Sequence, residues 1–338
     1  MSKRKLNKRQ QARIKQQQNT LRQKATRDES TDGKQCENSV DTGHKGIVIA
    51  NYGGRIIVED NNKAQTSCSV RQNIETLVSG DRVIWQNVDD NTGVVVALEP
   101  RTNYLARPDR RNKAKVIAAN IDQILIVTAV KPVLNTRLID RYLLAAETAG
   151  ITPVIVFNKV DLPDTAALQA FQDALLVYQQ LEYAVVYTSA KQTQGIENLQ
   201  RILDHKTSVF VGQSGVGKSS LLNCLLPESP ALVGDISEST QKGRHTTTLA
   251  QLYHLPSGGQ IIDSPGVREF GLWQVSEEQA AAGFLEFRPW LGQCRFRDCR
   301  HLDEPGCAVR AAVEDGVISP QRWDSYKRIL DTLTEEHQ

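Results

Sequence analysis

From residue 122 to residue 212, short and almost uninterrupted apolar runs alternate with longer stretches in which apolar residues return every three or four positions. "DQILIVTAV" (122–130), "TPVIVFNK" (152–159), "YAVVYTSA" (183–190) and "TSVFVG" (207–212) are runs of the first kind and predict strands buried on both faces. "NTRLIDRYLLAAETAG" (135–150), with Leu138, Tyr142 and Ala145 on one side, predicts a helix between the first two. "PDTAALQAFQDALLVYQQL" (163–181) and "GIENLQRIL" (195–203) predict the next two helices. This alternation gives a parallel sheet covered on both faces, with ligands at the carboxyl ends of its strands. Upstream the texture differs. "GIVIANYGGRIIVED" (46–60), "GDRVIWQ" (80–86) and "TGVVVALEP" (92–100) are short β-runs divided by turns, the trace of a small closed barrel. An OB fold is the commonest nucleic-acid-binding version, and an SH3-like barrel leaves much the same trace. Downstream, "AVRAAVEDG" and "SPQRWDSYKRILDTL" predict helices, the second capped by Ser319.

Composition adds four points. At 338 residues the chain has room for two or three cores, and 40% hydrophobic with 24% charged residues is ordinary for a soluble globular protein. No apolar run is long enough to cross a bilayer and the first residues are basic, so the expectation is a cytoplasmic chain without signal peptide or membrane partner. Residues 1–27 contain ten Lys or Arg and no Asp or Glu, so with +2 overall the remainder carries −8. That block is too polar to fold alone and reads as a disordered arm, either for nucleic acid or merely solubilising. Finally, Cys294, Cys299 and Cys307 cluster while Cys36, Cys68 and Cys224 are scattered, which suggests one metal site rather than a disulfide framework.

The chemistry follows from four motifs. "GQSGVGKSS" (Gly212, Gln213, Ser214, Gly215, Val216, Gly217, Lys218, Ser219, Ser220) follows a strand and precedes "LLNCLL", the context of a phosphate-binding loop. Its backbone N–H groups would cradle phosphates, Lys218 would reach the β- and γ-phosphates, and the Ser219 hydroxyl would face Mg²⁺. "NKVD" (Asn158, Lys159, Val160, Asp161) ends another strand. The Asp161 carboxylate can accept from guanine N1–H and N2, a donor pair that adenine lacks. Asn158 could take the opposite edge, the Lys159 stem the ring face, and "SAK" (Ser189, Ala190, Lys191) a backbone contact to the guanine oxygen. "DSPG" puts Asp263 where it can hold Mg²⁺ through water and the Gly266 N–H where it can sense the γ-phosphate, while Thr247 of "GRHTTT" would complete the metal shell. Val267 stands where Ras-like domains carry a water-orienting Gln, so His245 or a partner's group must position the water. The fourth motif, "CRFRDCRHLDEPGC", sets Cys294, Cys299, His301 and Cys307 within fourteen residues, a closed set suited to structural Zn²⁺. The interleaved Arg295, Arg297 and Arg300 suit RNA phosphates.

The five nucleotide-binding elements, "NKVD", "SAK", "GQSGVGKS", "GRHTTT" and "DSPG", stand in the order base, base, phosphate, switch, metal. A rotated chain order builds the same sheet, and here it runs "VREFGLW" (267–273) straight into the cysteine-bearing region, where the γ-phosphate sensor could act as a lever. "GQSGVGKSSLLN", "GRHTTT", "DSPGVREFGL" and the C-x4-C-x-H-x5-C spacing together resemble the RsgA (YjeQ) family of circularly permuted GTPases, over about residues 36 to 330. The resemblance implies an N-terminal OB fold, a permuted α/β P-loop GTPase core and a helical zinc domain. It also implies GTP hydrolysis stimulated by the small (30S) ribosomal subunit during late maturation, with the four ligands above on zinc and His245 catalytic. The expected division is an arm at 1–35, a barrel at 36–100, a GTPase unit at 104–274 and a zinc-binding unit at 275–338. The expected partners are GTP or GDP and the subunit with its rRNA, and the expected state is monomeric. Rival readings are a GTP-gated RNA-binding module with little hydrolysis, a P-loop ATPase or kinase, and a tRNA-directed GTPase.

Overall fold

The structure is a computed structural model that describes residues 16, 20, 43–89, 91–109, 113–162, 164–226, 250–263, 272 and 275–336. Five strands, β1 (His44–Asn51), β2 (Ile56–Glu59), β3 (Gln65–Val70), β4 (Arg82–Asp89) and β5 (Thr92–Leu98), close on themselves in the order 1-2-3-5-4-1. Every pairing is antiparallel except β3 with β5, which is the OB arrangement. Val48, Val58, Cys68, Val83, Trp85 and Val95 fill the interior. The hydrophobic pattern does not announce β3 because "QTSCSV" has no apolar alternation; its strand state comes from pairing with β2 and β5.

A second unpredicted feature follows. β6 (Tyr104–Pro108) and β7 (Ala114–Ala119) form a separate hairpin, and its Leu105, Ile117 and Ala118 belong to the main core. The passage into the large sheet is braced by side chains. Asn120 Nδ2 donates to Gly80 O at 2.8 Å, Asn103 bonds both backbone groups of Ile121, and Arg101 makes a forked pair with the fully buried Asp81 at 2.7 and 2.8 Å.

The parallel strands are β8 (Gln123–Ala129), β9 (Thr152–Asn158), β10 (Ala184–Tyr187), β11 (Thr207–Val211) and β13 (Gln260–Asp263), in the order β10-β9-β8-β11-β13. The helices α1 (Thr136–Ala149), α2 (Thr165–Gln180), α3 (Ile196–Leu203) and α4 (Lys218–Leu225) follow β8 to β11 in turn. One edge departs from the all-parallel expectation. β12 (Gln251–His254) is antiparallel to β13 and pairs onward with β1 at Ala50, so sheet and barrel are continuous. Ser79 Oγ donates to Ala250 O at 2.8 Å across the same seam.

The C-terminal region contributes α5 (Glu277–Gly283), a 3-10 helix (Leu285–Trp290), α6 (Ala308–Glu314) and α7 (Pro320–Glu336). Phe284, Phe287, Tyr326, Ile329 and Leu330 share one core with Ile139, Tyr142 and Leu143 of α1. Among the described residues no helix is long and apolar enough to cross a membrane. Apart from Gln16 and Thr20, the basic arm lies outside the described residues, and so do Gly266, Val267, His245 and Thr247. Of the lever segment 267–273 only Leu272 is described, and it is buried in the core that α1 and α7 share.

Candidate nucleotide site and metal centre

Strand register decides what meets at the carboxyl edge. Val211 lies level with Ile126 of β8, Ile126 with Ile155 of β9, and Ile262 with Val209. The ends of β8, β9, β11 and β13 are therefore neighbours although the chain visits them in shuffled succession, and Asp263 closes β13 one strand from the phosphate loop.

Side chains then tie the loops together. Asn158 is almost fully buried; its Nδ2 donates to Val216 O at 3.0 Å, across 58 residues of sequence, and its Oδ1 accepts from Thr188 Oγ1 (3.2 Å) and Ala190 N (3.3 Å). One amide thus holds "NKVD", "SAK" and the phosphate loop in register. Gly217 is glycine for this reason: it has φ +98°, and a Cβ there would collide with the Asn158 amide. Lys159 takes the uncommon left-handed backbone (φ 64°), and its Nζ donates to Gly215 O at 2.6 Å and Lys131 O at 2.9 Å. The half-buried Asp161 accepts at Oδ1 from Ser189 Oγ at 2.6 Å, and Val160 N donates to Thr188 O. The predicted base-reading residues are therefore assembled, with Ser189 buried and Lys191 exposed.

In the phosphate loop, Gly212 (φ +136°) crosses β8 so closely that a Cβ would strike Val127 O. Gln213, Ser214 and Gly215 are exposed, Val216 is buried, and Gly217 leads into α4. Lys218 folds over the loop, donating to Gly212 O at 2.6 Å and Gln213 O at 2.7 Å. Half-buried Ser219 and exposed Ser220 follow in the first turn of α4. Ser219 and Asp263 supply hard oxygen donors of the kind Mg²⁺ takes. Two participants lie outside the motifs. Thr188 orients Asn158, and Cys224 of α4 donates its thiol to Ala190 O at 3.3 Å. No local spacing marks either residue, so only tertiary contact reveals them.

A cleft of about 530 Å³ opens at the opposite end of the sheet, against the barrel. It is lined by charged residues of both signs, among them Lys45, Glu59, Arg82, Asp122 and Lys206, and by none of the predicted nucleotide residues.

The ligand atoms of Cys294, Cys299, His301 and Cys307 all lie within 4.8 Å of one another. Cys294 Sγ is 3.4 Å from His301 Nδ1 and 4.0 Å from Cys307 Sγ, and Cys307 Sγ is 3.5 Å from His301 Nδ1. Tetrahedral zinc at ordinary bond lengths needs about 3.8 Å between sulfurs and about 3.6 Å from sulfur to nitrogen, so the donor set fits the ion. Its surroundings suit thiolates too. Ala308 N donates to Cys294 Sγ and Arg310 N to Cys307 Sγ, both at 3.4 Å, while Trp323 Nε1 holds His301 through its carbonyl at 2.9 Å. Burial pushes the Cys299 thiol up to about 12 and the His301 imidazole below its ordinary value. A cluster so disfavoured as separate ions is one that a divalent cation would stabilise. Phe296 projects beside it, 42% exposed, with Arg295 over its ring.

A protein-family profile described as RsgA GTPase matches residues 98–273. The chain is 50% identical to the small ribosomal subunit biogenesis GTPase RsgA of Hahella chejuensis, over 99% of this chain and 98% of that one. It is 53% identical to the protein of the same name from Chromohalobacter salexigens, over 86% of each. Among solved structures, YjeQ from Thermotoga maritima superposes with a TM-score of 0.72 at 34% identity, covering 86% of this chain and 98% of that one. YloQ, described as a circularly permuted GTPase, superposes equally well (0.72) at 30% identity, covering 90% and 99%.

Proposed function

The chain belongs to the RsgA GTPase family of GTP-hydrolysing enzymes, and from that premise we propose that it acts in the biogenesis of the small ribosomal subunit. It binds GTP in the crevice at the carboxyl edge, docks on the subunit and its rRNA late in maturation, and leaves after hydrolysis. The observation that carries this reading is the Asn158 amide, which joins the base-reading and phosphate-binding motifs across the permuted order.

The residues divide the work. Asp161 accepts from guanine N1–H and N2 and is oriented by Ser189; Asn158, Lys159, Val160, Ala190 and Lys191 complete the base pocket. The N–H groups of residues 212 to 220 cradle the phosphates, and Lys218 swings from its carbonyl partners to the β- and γ-oxygens. Gly266 senses the γ-phosphate. A Mg²⁺ ion held by Ser219, Asp263 and Thr247 would neutralise charge on the phosphate oxygens. His245 orients the attacking water, a role that a group of the subunit could share. Zn²⁺ on the Cys₃His set is structural, because all four positions come from the protein. The OB barrel, the Arg-rich knuckle and the basic arm supply the RNA-binding surface. The working units are 1–35, 36–100, 104–274 and 275–338, and the protein acts as a cytoplasmic monomer.

Two measurements test this. Phosphate release should rise strongly when small subunits are added, and co-sedimentation should be greatest with a non-hydrolysable GTP analogue. Unstimulated release would favour an RNA-binding module, and co-sedimentation with tRNA instead would favour a tRNA-directed enzyme.

A further inference from the structure

Helix α7 meets the nucleotide unit through the first residues after Pro320. Gln321 Nε2 donates to Thr136 Oγ1 at 2.9 Å, and Arg322 Nη1 donates to Asp140 Oδ1 at 2.6 Å. Arg322 is 2% exposed; it also bonds Glu286 at 2.6 and 3.2 Å and lies 4.4 Å over the Phe284 ring. Tyr178 of α2 completes the cluster, its hydroxyl 2.8 Å from Asp140 Oδ1 and 3.3 Å from Thr136 O. Burial alone would push the Arg322 guanidinium down, but Asp140 and Glu286 hold it above its ordinary value. Asp140 Oδ2 has no hydrogen-bond partner among the described residues, so this carboxylate is compensated through Oδ1 alone, by the Arg322 charge and the Tyr178 hydroxyl.

Thr136 and Asp140 belong to the start of α1, and the other side of that start walls the phosphate loop. Asn135, Leu138, Ile139 and Tyr142 line one small cavity together with Gly212, Gln213 and Val216. Val211, which leads into the loop, shares a core with Ile139 and Tyr142 and with Tyr326 and Ile329 of α7.

We propose that Arg322 and Gln321 are positioning residues for phosphate binding: by fixing the first turns of α1 they set the wall on which loop 212–217 rests. The metal-bearing C-terminal unit then tunes phosphate affinity through packed side chains, independently of the segment that leads out of "DSPG". Clamped polar contacts suit the task because a shifted α1 would strand the Asp140 charge rather than merely loosen a contact.

The inference rests on the phosphate-binding reading of residues 212–219, and the test separates the two. Affinities for GDP and for GMP, which keeps the base but lacks the β-phosphate, are measured by competition with a fluorescent guanine nucleotide on the full-length, zinc-loaded protein. Gln321→Ala should weaken GDP about threefold, and Arg322→Met about tenfold with Arg322→Lys in between, while GMP stays unchanged. The double variant Thr136→Ala/Gln321→Ala should be no weaker than either single one. Parallel losses for GDP and GMP, additive singles, or no change would overturn the proposal. Should Arg322→Met fail to fold, the Thr136–Gln321 pair, in which Thr136 is half-buried and Gln321 exposed, decides the matter by the same readout. A wild-type chain that binds GDP no better than GMP would overturn the phosphate-loop reading itself and the proposal with it.

Discussion

The nucleotide crevice and the metal knuckle solve the same problem, converging several side chains on one small target, by opposite means. The crevice draws on strand ends as far apart in sequence as Asn158 and Asp263, and its accuracy comes from a sheet whose Leu125, Ile155, Val156 and Val209 are fully buried. The knuckle draws its four ligands from fourteen consecutive residues with few apolar side chains among them. Its geometry is closed by turns and by N–H groups donated to sulfur, and a metal ion on the four donors would complete it. A preorganised sheet tolerates an empty site, whereas a knuckle without its ion keeps three thiols and an imidazole with little reason to stay together.

Metal removal breaks this comparison most directly. Chelation, or Cys299→Ser with Cys307→Ser, should cost most of the metal's binding energy, about 10 kcal/mol in isolated knuckles. Hydrogen exchange should then show protection lost across Ala308–Glu314 and the start of α7, with β8, β9 and β11 still protected. Equal loss in those strands would mean that the sheet depends on the ion as well. The next largest effect belongs to the crevice. Asp161→Asn removes the acceptor proposed for guanine N1–H and N2 and should weaken GDP by about a hundredfold or more, while xanthosine diphosphate, with an acceptor at that position, gains. Thermal stability should hardly move, because Asp161 is only half-buried at the edge. Calorimetric titration of both nucleotides checks this.

The same contrast explains what could be read in advance. The knuckle was legible because its ligands and their spacing lie in one line of text. The phosphate loop and "NKVD" were legible because their backbones demand particular residues, such as Gly217 against Asn158. The strands β3, β6, β7 and β12 were not. "QTSCSV", "YLARP", "AKVIAA" and "QLYH" carry no strong alternation and take their state from neighbours: β12, for example, from β13 and β1. The clamp of Arg322 on Asp140 was hidden for the same reason, since 182 residues separate the pair.

Thr188 tests whether the crevice is as rigid as its sheet. The residue is fully buried, and its hydroxyl bonds Asn158 Oδ1 at 3.2 Å. Thr188→Val keeps the shape and removes the donor, while Asn158 Oδ1 keeps the bond from the Ala190 N–H. The expected loss is about 1 kcal/mol in GDP affinity, near fivefold. A larger loss would show that the register held by the Asn158 bridge depends on the Thr188 hydroxyl more than on the sheet beneath it.

The smallest effect is expected at Cys224, whose thiol donates to Ala190 O from the helix behind the phosphate loop. The carbonyl of Ala190 and the N–H of Lys191 share one peptide plane and point opposite ways, so a donor on the former aims the latter. Thiol hydrogen bonds are weak, and Cys224→Val should cost GDP less than about threefold, with Cys224→Ser close to the parent. Burial raises the thiol above its ordinary value of 9.0, so the neutral donor persists through neutral pH. Folding disfavours the thiolate, so the Cys224 contribution to stability is constant below that ordinary value and falls as pH rises beyond it. The parent minus Cys224→Ser difference in unfolding free energy should therefore be flat from pH 6 to about 8 and shift against the parent above about 9. Taking the difference cancels the ionisation of Cys68, whose thiol burial raises to about 11. A difference that changes already near pH 7 would mean that Cys224 is ionised where it touches the loop, and that the contact is not the thiol donation described.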